Sequence, residues 1–543
     1  MKINKPLFVT GLIAIALVGC KAVNTIPVPE ATNNVVIISP KKLPLTKIQK
    51  ETWGHADLAT DTIPGMSVDK AYTFLQGKKG IEVVVGVVDS GTDLKHEDLK
   101  NVAWVNKKEI AANGIDDDKN GYVDDINGWN FLGKSYKEHL EYERILMNPS
   151  IADEETLIKV KKQQKDIIKK VEGDKKRYVR FLSRAISASK ILTKFFNEKD
   201  FTYEEIKAIK SDNENLKKAI ATAKWAKSNG QTLSGITKLL EGYIKNANAT
   251  ITGGNLKIDY RTVVGDNAYD FKDRSGYGDG NTGHSIKDEI HGTHVSGIIG
   301  AERDNNIGMD GVAHNLKIMA IRAVPDGDEY DKDIALAIRY AVDNGAKIIN
   351  TSFGKDFSPN KQWVYDAIKY AANNDVLIVN AAGNDGKNID LEKTFPNDAP
   401  DLKNEVSGNF ITVGSIGSEY NKYLPAYSSN YGKLNVDIFA PGVQIYSTFP
   451  NERYETIGGT SMAAPGVTGI AVLIRSYYPK LSANQVKHII MNSGTKVDLM
   501  VVKPGSGSQK KPKGELVSFT DLSVSGRIAN AYNALKMAER MVK

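Results

Sequence analysis

The run Val83-Val84-Val85-Gly86-Val87-Val88, closing on Asp89-Ser90-Gly91-Thr92-Asp93, decides the reading of this chain. Six residues without a polar side chain fit a strand buried on both faces, because a half-exposed strand alternates apolar with polar. Similar runs return at Leu316 to Ile321, Ala346 to Asn350, Val376 to Ala381, Phe410 to Val413 and Val436 to Phe439. Between several of them lie helix-period stretches, such as Asp331 to Asn344 and Asn360 to Asn374. Such repeats predict an α/β fold, a mostly parallel sheet with helices on both faces. In sheets of this kind chemistry gathers at the carboxyl ends of the strands. The first run ends there on an acid, Asp89, followed by a turn glycine.

Three later blocks answer that acid. His291-Gly292-Thr293-His294-Val295-Ser296-Gly297 places an imidazole at the start of an apolar, small-residue helix. Gly458-Gly459-Thr460-Ser461-Met462-Ala463-Ala464-Pro465 places a hydroxyl where a glycine-rich loop enters a helix. Acid, imidazole and hydroxyl are what a serine nucleophile needs: the His takes the Ser proton, and the acid holds the His tautomer and stabilises the imidazolium. The helix amino terminus at Ser461 offers backbone donors to an oxyanion. Ala381-Ala382-Gly383-Asn384-Asp385-Gly386, directly after another strand, adds the Asn384 amide as a further donor.

In the order Asp, His, Ser these blocks resemble the subtilisin-like serine proteases, whose chain order differs from that of other triad families. The resemblance implies a subtilisin-like fold, with Asp89 as triad acid, His291 as general base, Ser461 as nucleophile, Asn384 as oxyanion donor and His294 as a structural position. It also implies that Ser352, Phe353 and Gly354, in Ile348-Ile349-Asn350-Thr351-Ser352-Phe353-Gly354, pair with the substrate backbone as an added strand. Gly383 and Asp385 would flank the pocket for the residue preceding the cut. Phe353 and the small residues around Gly383 suggest a large apolar side chain there, with Asp385 tolerating a basic one. The expected partners are protein or peptide substrates. The contrasting reading is a catalytically idle surface binding or scaffold protein that presents an insertion.

That insertion stands out by charge. The 543 residues have an ordinary globular composition, 41% hydrophobic and 25% charged, which excludes disorder and collagen and leaves room for two to four domains. The net charge is +7, yet residues 134–262 hold 27 Lys/Arg against 17 Asp/Glu, and the rest of the chain 45 against 48. Basic residues alternating with acids argue against nucleic acid as a partner. No proline occurs between Pro149 and Pro325. From Leu157 through Val160, Gln164, Ile167, Val171, Asp174, Tyr178, Phe181, Ala185, Ala188 and Leu192 to Phe195 the steps of three and four predict a long helix, broken near Gly173. Phe201 to Lys227 and Leu233 to Asn246 read as further helices. The expected organisation is a peptidase domain split into 53–133 and 263–543 around a basic helical insertion, 134–262, and a monomer.

Residues 1–20 have the layout of a signal peptide, with Lys2 and Lys5 before an apolar stretch. They close on Leu17-Val18-Gly19-Cys20, which resembles the lipobox of bacterial lipoproteins. Cys20 is the only cysteine, so no disulfide within the chain is available, and lipidation there would anchor the protein to a membrane of the cell envelope, the outer membrane or surface being favoured. Residues 21–52, with four prolines, read as a tether. No compact prodomain fits between Cys20 and Trp53, so the domain is expected to fold unaided or under restraint by the insertion. Finally, Asp116, Asp118, Asn120, Tyr122 (by its carbonyl) and Asp124 occupy positions one, three, five, seven and nine of a calcium-loop pattern, with Gly121 at six but Asn127 where Glu is expected at twelve. Asp98, Asn305, Ile307 and Met309 match a calcium loop of the resembled family.

Overall fold

Five valines make β1 (Val83–Asp89) a stiff, strand-favouring segment, and its side chains alternate between two cores. Val85 and Val87 enter one, Val88 the other. The computed structural model describes residues 41, 43–197, 201–273, 277–284 and 289–543. Cys20 and the rest of residues 1–40 lie outside them.

The further strands are β2 (Gly128–Asn130), β3 (Leu316–Arg322), β4 (Ile348–Thr351), β5 (Leu377–Ala381), β6 (Phe410–Ile416), β7 (Ile438–Pro441), β8 (Ile445–Phe449), β9 (Arg453–Ile457), β10 (Thr495–Lys496), β11 (Met500–Val502), β12 (Leu516–Ser518) and β13 (Arg527–Ile528). Nine of them form one sheet in the order β10-β13-β7-β6-β5-β4-β1-β3-β2, while β8 with β9 and β11 with β12 make hairpins. Every pairing in the large sheet is parallel except β10 with β13. The α/β reading therefore holds, and each apolar run named from the sequence is a strand of this sheet.

Strand order reverses beside β1, which lies between β3 and β4. Such a switch point opens a crevice at the carboxyl ends, where Asp89 ends β1 and Ser352 follows β4. Helices Val68–Leu75, His291–Gly300, Thr460–Tyr477, Ala483–Ser493 and Ala531–Val542 bury their apolar sides on one face of the sheet. Helices Asp331–Asp343 and Lys361–Asn373 cover the other.

The segment 134–262 is helical, as expected, but its divisions differ. Glu154–Phe196 is one helix of 43 residues, about 65 Å long, and runs through Gly173 without a break. A glycine inside a helix costs only about 1 kcal/mol relative to alanine, too little to interrupt so long a run. The stretch expected as one helix from Phe201 is two, Tyr203–Ala208 and Glu214–Ser228. Asn213 divides them, its side chain accepting the amides of Asn215 and Leu216, an N-cap whose pull exceeds the propensity of the intervening residues. Leu233–Thr252 completes the unit. Ala185, Ala188, Leu192, Leu216, Ala223 and Ile236 belong to a separate apolar core of this segment, whereas Phe195, expected on the seam, is 52% exposed. Entry and exit meet: Ser135 Oγ donates to the Tyr260 carbonyl at 3.2 Å, and His139 Nε2 lies 2.7 Å from the Ile258 carbonyl.

Candidate active site

Asp89 is carried out of the sheet by β1 and is 1% exposed. Its Oδ1 accepts the Ser90 amide at 2.7 Å and sits 2.7 Å from His291 Nδ1. A carboxylate oxygen can only accept, so Nδ1 carries the proton and Nε2 of neutral His291 is left as the basic nitrogen. Burial lowers the affinity of His291 for a second proton, but the charge of Asp89 and its hydrogen bond outweigh that, and the net shift is upward from 6.5. The imidazole is not sealed in, its side chain 34% exposed.

The helix bearing His291 packs close against its neighbours. A Cβ on Gly297 would fall 2.2 Å from Thr448 Oγ1 and 2.4 Å from Ser447 Oγ, so only glycine lets the helix lie against β8. One turn in, His294 Nε2 lies between the carbonyls of Ile445 and Glu455, at 3.1 and 3.2 Å. Burial pulls its pKa down to about 3, so it stays neutral and serves the packing of this helix on the β8–β9 hairpin.

Ser461 is the second residue of the helix Thr460–Tyr477, which packs beside the His291 helix. Its hydroxyl donates to the Ser352 carbonyl at 3.0 Å, and Ser352 Oγ returns a bond to the Ser461 carbonyl at 3.0 Å. Among the described residues no hydrogen bond joins Ser461 to His291. Attack requires the hydroxyl to leave Ser352 and turn to the imidazole, a contact that in unliganded sites commonly tightens only with substrate.

Asn384 is oriented by elimination. The Thr460 backbone N–H can only donate, and it donates to Asn384 Oδ1 at 2.9 Å; Thr460 Oγ1 adds a bond at 3.2 Å. Nδ2 is thereby left to donate to the open side, where an oxyanion would sit. Gly383, at φ +100°, gives its N–H to Thr460 Oγ1 at 3.1 Å. The residue behind this loop is one the sequence reading did not single out. Asn430, fully buried, accepts the amides of Asp385 and Lys387 at 3.1 and 2.9 Å and donates to the Ala382 carbonyl at 2.9 Å. Nothing in Ser428-Ser429-Asn430-Tyr431 announces it, since the contact spans 45 residues.

Ser461, Thr460, Asn384 and Asn430 line a cleft of about 330 Å³ together with Phe353, Gly354, Gly383 and Asp385. Asp385 is exposed, but Lys387 Nζ stands 3.8 Å from it and 2.8 Å from Asp356. Lys387 thereby offsets one of these two carboxylate charges, and the other remains to meet a basic side chain.

The acidic loop departs from its expected pattern. Asp116 and Asp118 converge with Glu109, one oxygen of each within 4.8 Å of the others. Asp124 instead accepts the amides of Asn113 and Gly114 at 3.1 and 2.9 Å. Asn120 bonds the Tyr122 amide and Asp125, and the Tyr122 ring packs on Trp129 and Tyr340. Glu109, upstream of the pattern, joins the cluster, its Oε1 and Oε2 accepting the amides of Asp118 and Asp124 at 3.0 and 3.2 Å. At the second expected loop, Asn305 Nδ2 donates to Asp98 Oδ1 at 2.7 Å and the Met309 amide to Asp98 Oδ2 at 3.2 Å.

Three proteins with stretches similar to this chain are a thermophilic serine proteinase of Bacillus sp. (strain AK1), subtilisin DY of Bacillus licheniformis and thermitase of Thermoactinomyces vulgaris. The first is 41% identical over 187 residues, 34% of this chain and 42% of its own length. The second is 36% identical over 206 residues, covering 38% and 70%, and the third 36% over 208 residues, covering 38% and 68%. The chain thus spans less than half of the first relative and about two thirds of the other two. The profile of the subtilase family matches residues 80–514, which embrace Asp89, His291, Asn384 and Ser461. The chain belongs to the subtilase family.

Proposed function

We propose that this protein is a serine endopeptidase that hydrolyses peptide bonds through an acyl-enzyme on Ser461. The observation that carries the reading is the 2.7 Å bond between Asp89 and His291, made from opposite sides of an insertion and set beside the Ser461 helix. His291 Nε2 takes the Ser461 proton as Oγ attacks the scissile carbonyl, and the oxygen's new charge is met by Asn384 Nδ2 and the backbone donors of the helix terminus. The imidazolium, steadied by Asp89, then protonates the leaving amine. Water repeats the sequence on the ester and frees Ser461. A serine-directed fluorophosphonate is expected to label the protein, with the adduct on the peptide containing Ser461 by mass spectrometry. An unlabelled folded protein would sink the reading and favour a scaffold role.

The layout of residues 1–20 supports a lipid-anchored, envelope-located form acylated at Cys20. Metabolic labelling with a fatty acid, abolished by Cys20→Ser, is its test. Calcium is supported by the donor set at the acidic loop: three carboxylates, all hard oxygen ligands, fit that ion. Glu109, Asp116 and Asp118 would hold it, and bound there it would pin the loop without entering the chemistry. Chelation is accordingly expected to lower the melting temperature by a few degrees, since a ligand at a hundredfold excess over its Kd contributes about 2.7 kcal/mol. Glu109→Gln should remove that response; an unchanged melting curve in the unsubstituted protein would count against the ion.

A further inference from the structure

The insertion reaches the cleft. Leu140, Tyr142 and Gln163 line the same pocket as Ser461 and Asn384, although all three belong to the helical segment. They are held there firmly. The helix Glu141–Met147 clamps one edge of the cleft, with Arg144 donating to the carbonyls of Asp328 and Glu329 at 2.6 and 2.9 Å and the Glu141 amide donating to Asp328 Oδ2 at 2.7 Å. It clamps the other edge as well: Lys355, next after the expected substrate strand, gives its Nζ to Glu141 Oε2 at 2.6 Å. From the long helix, Gln163 Nε2 donates to Asp356 at 3.3 Å, and Val160 shares an apolar cluster with Tyr142, Ile145 and Phe357. A buried ion pair on one edge and charge-assisted hydrogen bonds on the other make this part of the insertion a wall of the cleft.

What the wall offers is apolar. The basic groups around it are already engaged: Lys355 by Glu141 and Asp331, and Lys387 by Asp356 and Asp385. Between them lie the rings of Tyr142, Phe353 and Phe357 and the side chain of Leu140, which is 43% exposed at the pocket mouth. We propose that Leu140 and Tyr142 of the insertion, with Phe353 and Phe357, form a subsite that selects a large apolar side chain on the acyl side of the scissile bond. The inference rests on the peptidase reading above. It assigns the insertion a role in specificity that a compact peptidase domain would leave to its own loops.

The test uses the full-length protein and two peptide 4-nitroanilides alike except at one acyl-side residue, Phe in one and Lys in the other, scanned over the positions preceding the cut. At one position the unsubstituted enzyme should favour Phe. Leu140→Asp should lower the Phe-to-Lys ratio of kcat/KM there by roughly ten- to a hundredfold, chiefly through KM, the scale of an apolar side chain's worth in a pocket. Leu140→Met should restore the ratio, which a merely structural role would not require. Leu140 is exposed enough for both variants to fold, and fluorophosphonate labelling checks that they have. Labelled variants whose ratio equals that of the unsubstituted enzyme at every position would overturn the subsite alone. A protein that folds but neither labels nor cleaves would overturn the subsite and the peptidase reading together.

Discussion

Ser461→Ala is expected to lower kcat for peptide hydrolysis on the order of a millionfold, a scale taken over from subtilisin, where loss of the nucleophile costs about as much as loss of the whole triad. The reasoning is that Asp89 and His291 act only through the serine oxygen. With Oγ gone, His291 has no proton to take, and what remains is the oxyanion donors and binding, which alone keep roughly 10³ to 10⁴ over water. KM should change little, because Ser461 sits at the reacting carbonyl and contributes little to holding the rest of the peptide. The substitution should also leave the fold intact. Ser461 is partly exposed, and its loss removes one bond, to Ser352, while the Ser352 hydroxyl still donates to the residue 461 carbonyl. Circular dichroism and a melting curve like those of the unsubstituted protein would show this, and residual turnover within a hundredfold of it would refute the assignment of Ser461 as nucleophile.

Asp89→Asn should cost on the order of 10⁴ in kcat, again a scale from triad peptidases, and it should move the pH profile in a definite direction. The base works only as neutral imidazole, so kcat/KM falls as pH drops through the His291 pKa. Burial lowers that pKa while Asp89 raises it further, which places the acid limb above 6.5. Replacing the carboxylate by an amide removes the raising charge and leaves burial, so the limb should shift to lower pH even as the plateau collapses. The amide also presents an N–H that can face Nδ1 and favour the wrong tautomer, which is why the plateau suffers so much more than the loss of one charge would suggest. A limb that stayed in place would mean that Asp89 does not set the protonation of His291.

The sheet and the triad blocks were readable because both are short-range signals. A fully buried parallel strand announces itself as a mostly apolar run, unbroken in β1 up to Asp89 and interrupted within by Lys317 in β3, Asn380 in β5 and Thr412 in β6. The strands that escaped, β2, β10 and β13, are two or three residues long and owe their pairing to neighbours far along the chain. Asn430 escaped for the same reason, since its role exists only once β5 and the Tyr427-Ser428-Ser429 turn lie together. The calcium loop misled in part because periodic spacing gives candidates and not directions. Asp124 has the right position but lies outside the converging group, accepting the amides of Asn113 and Gly114, while Glu109 joins Asp116 and Asp118 from outside the pattern. In the long helix the seam was legible, whereas Gly173 was overweighted as a breaker against the cooperativity of 43 residues.

The meeting of the insertion's two ends bears on how the chain folds. Asp89 and His291 are 202 residues apart, and the bond from Ser135 to Tyr260 spans 125 of them. If the insertion's helices, rich in local contacts, form first, the effective loop shrinks by more than half, and the entropy difference is about 1 kcal/mol, small because closure cost grows only with the logarithm of length. The detour weighs on time instead. β1 lies between β3 and β4, both encoded beyond the insertion, so at about 5 to 20 residues per second the newly made strand waits roughly 12 to 47 s for its first partner. Five valines within six residues, with both edges unpaired, are an aggregation hazard over such an interval, and an early-folding, highly charged helical segment made before β3 is well placed to keep that strand soluble until β3 arrives.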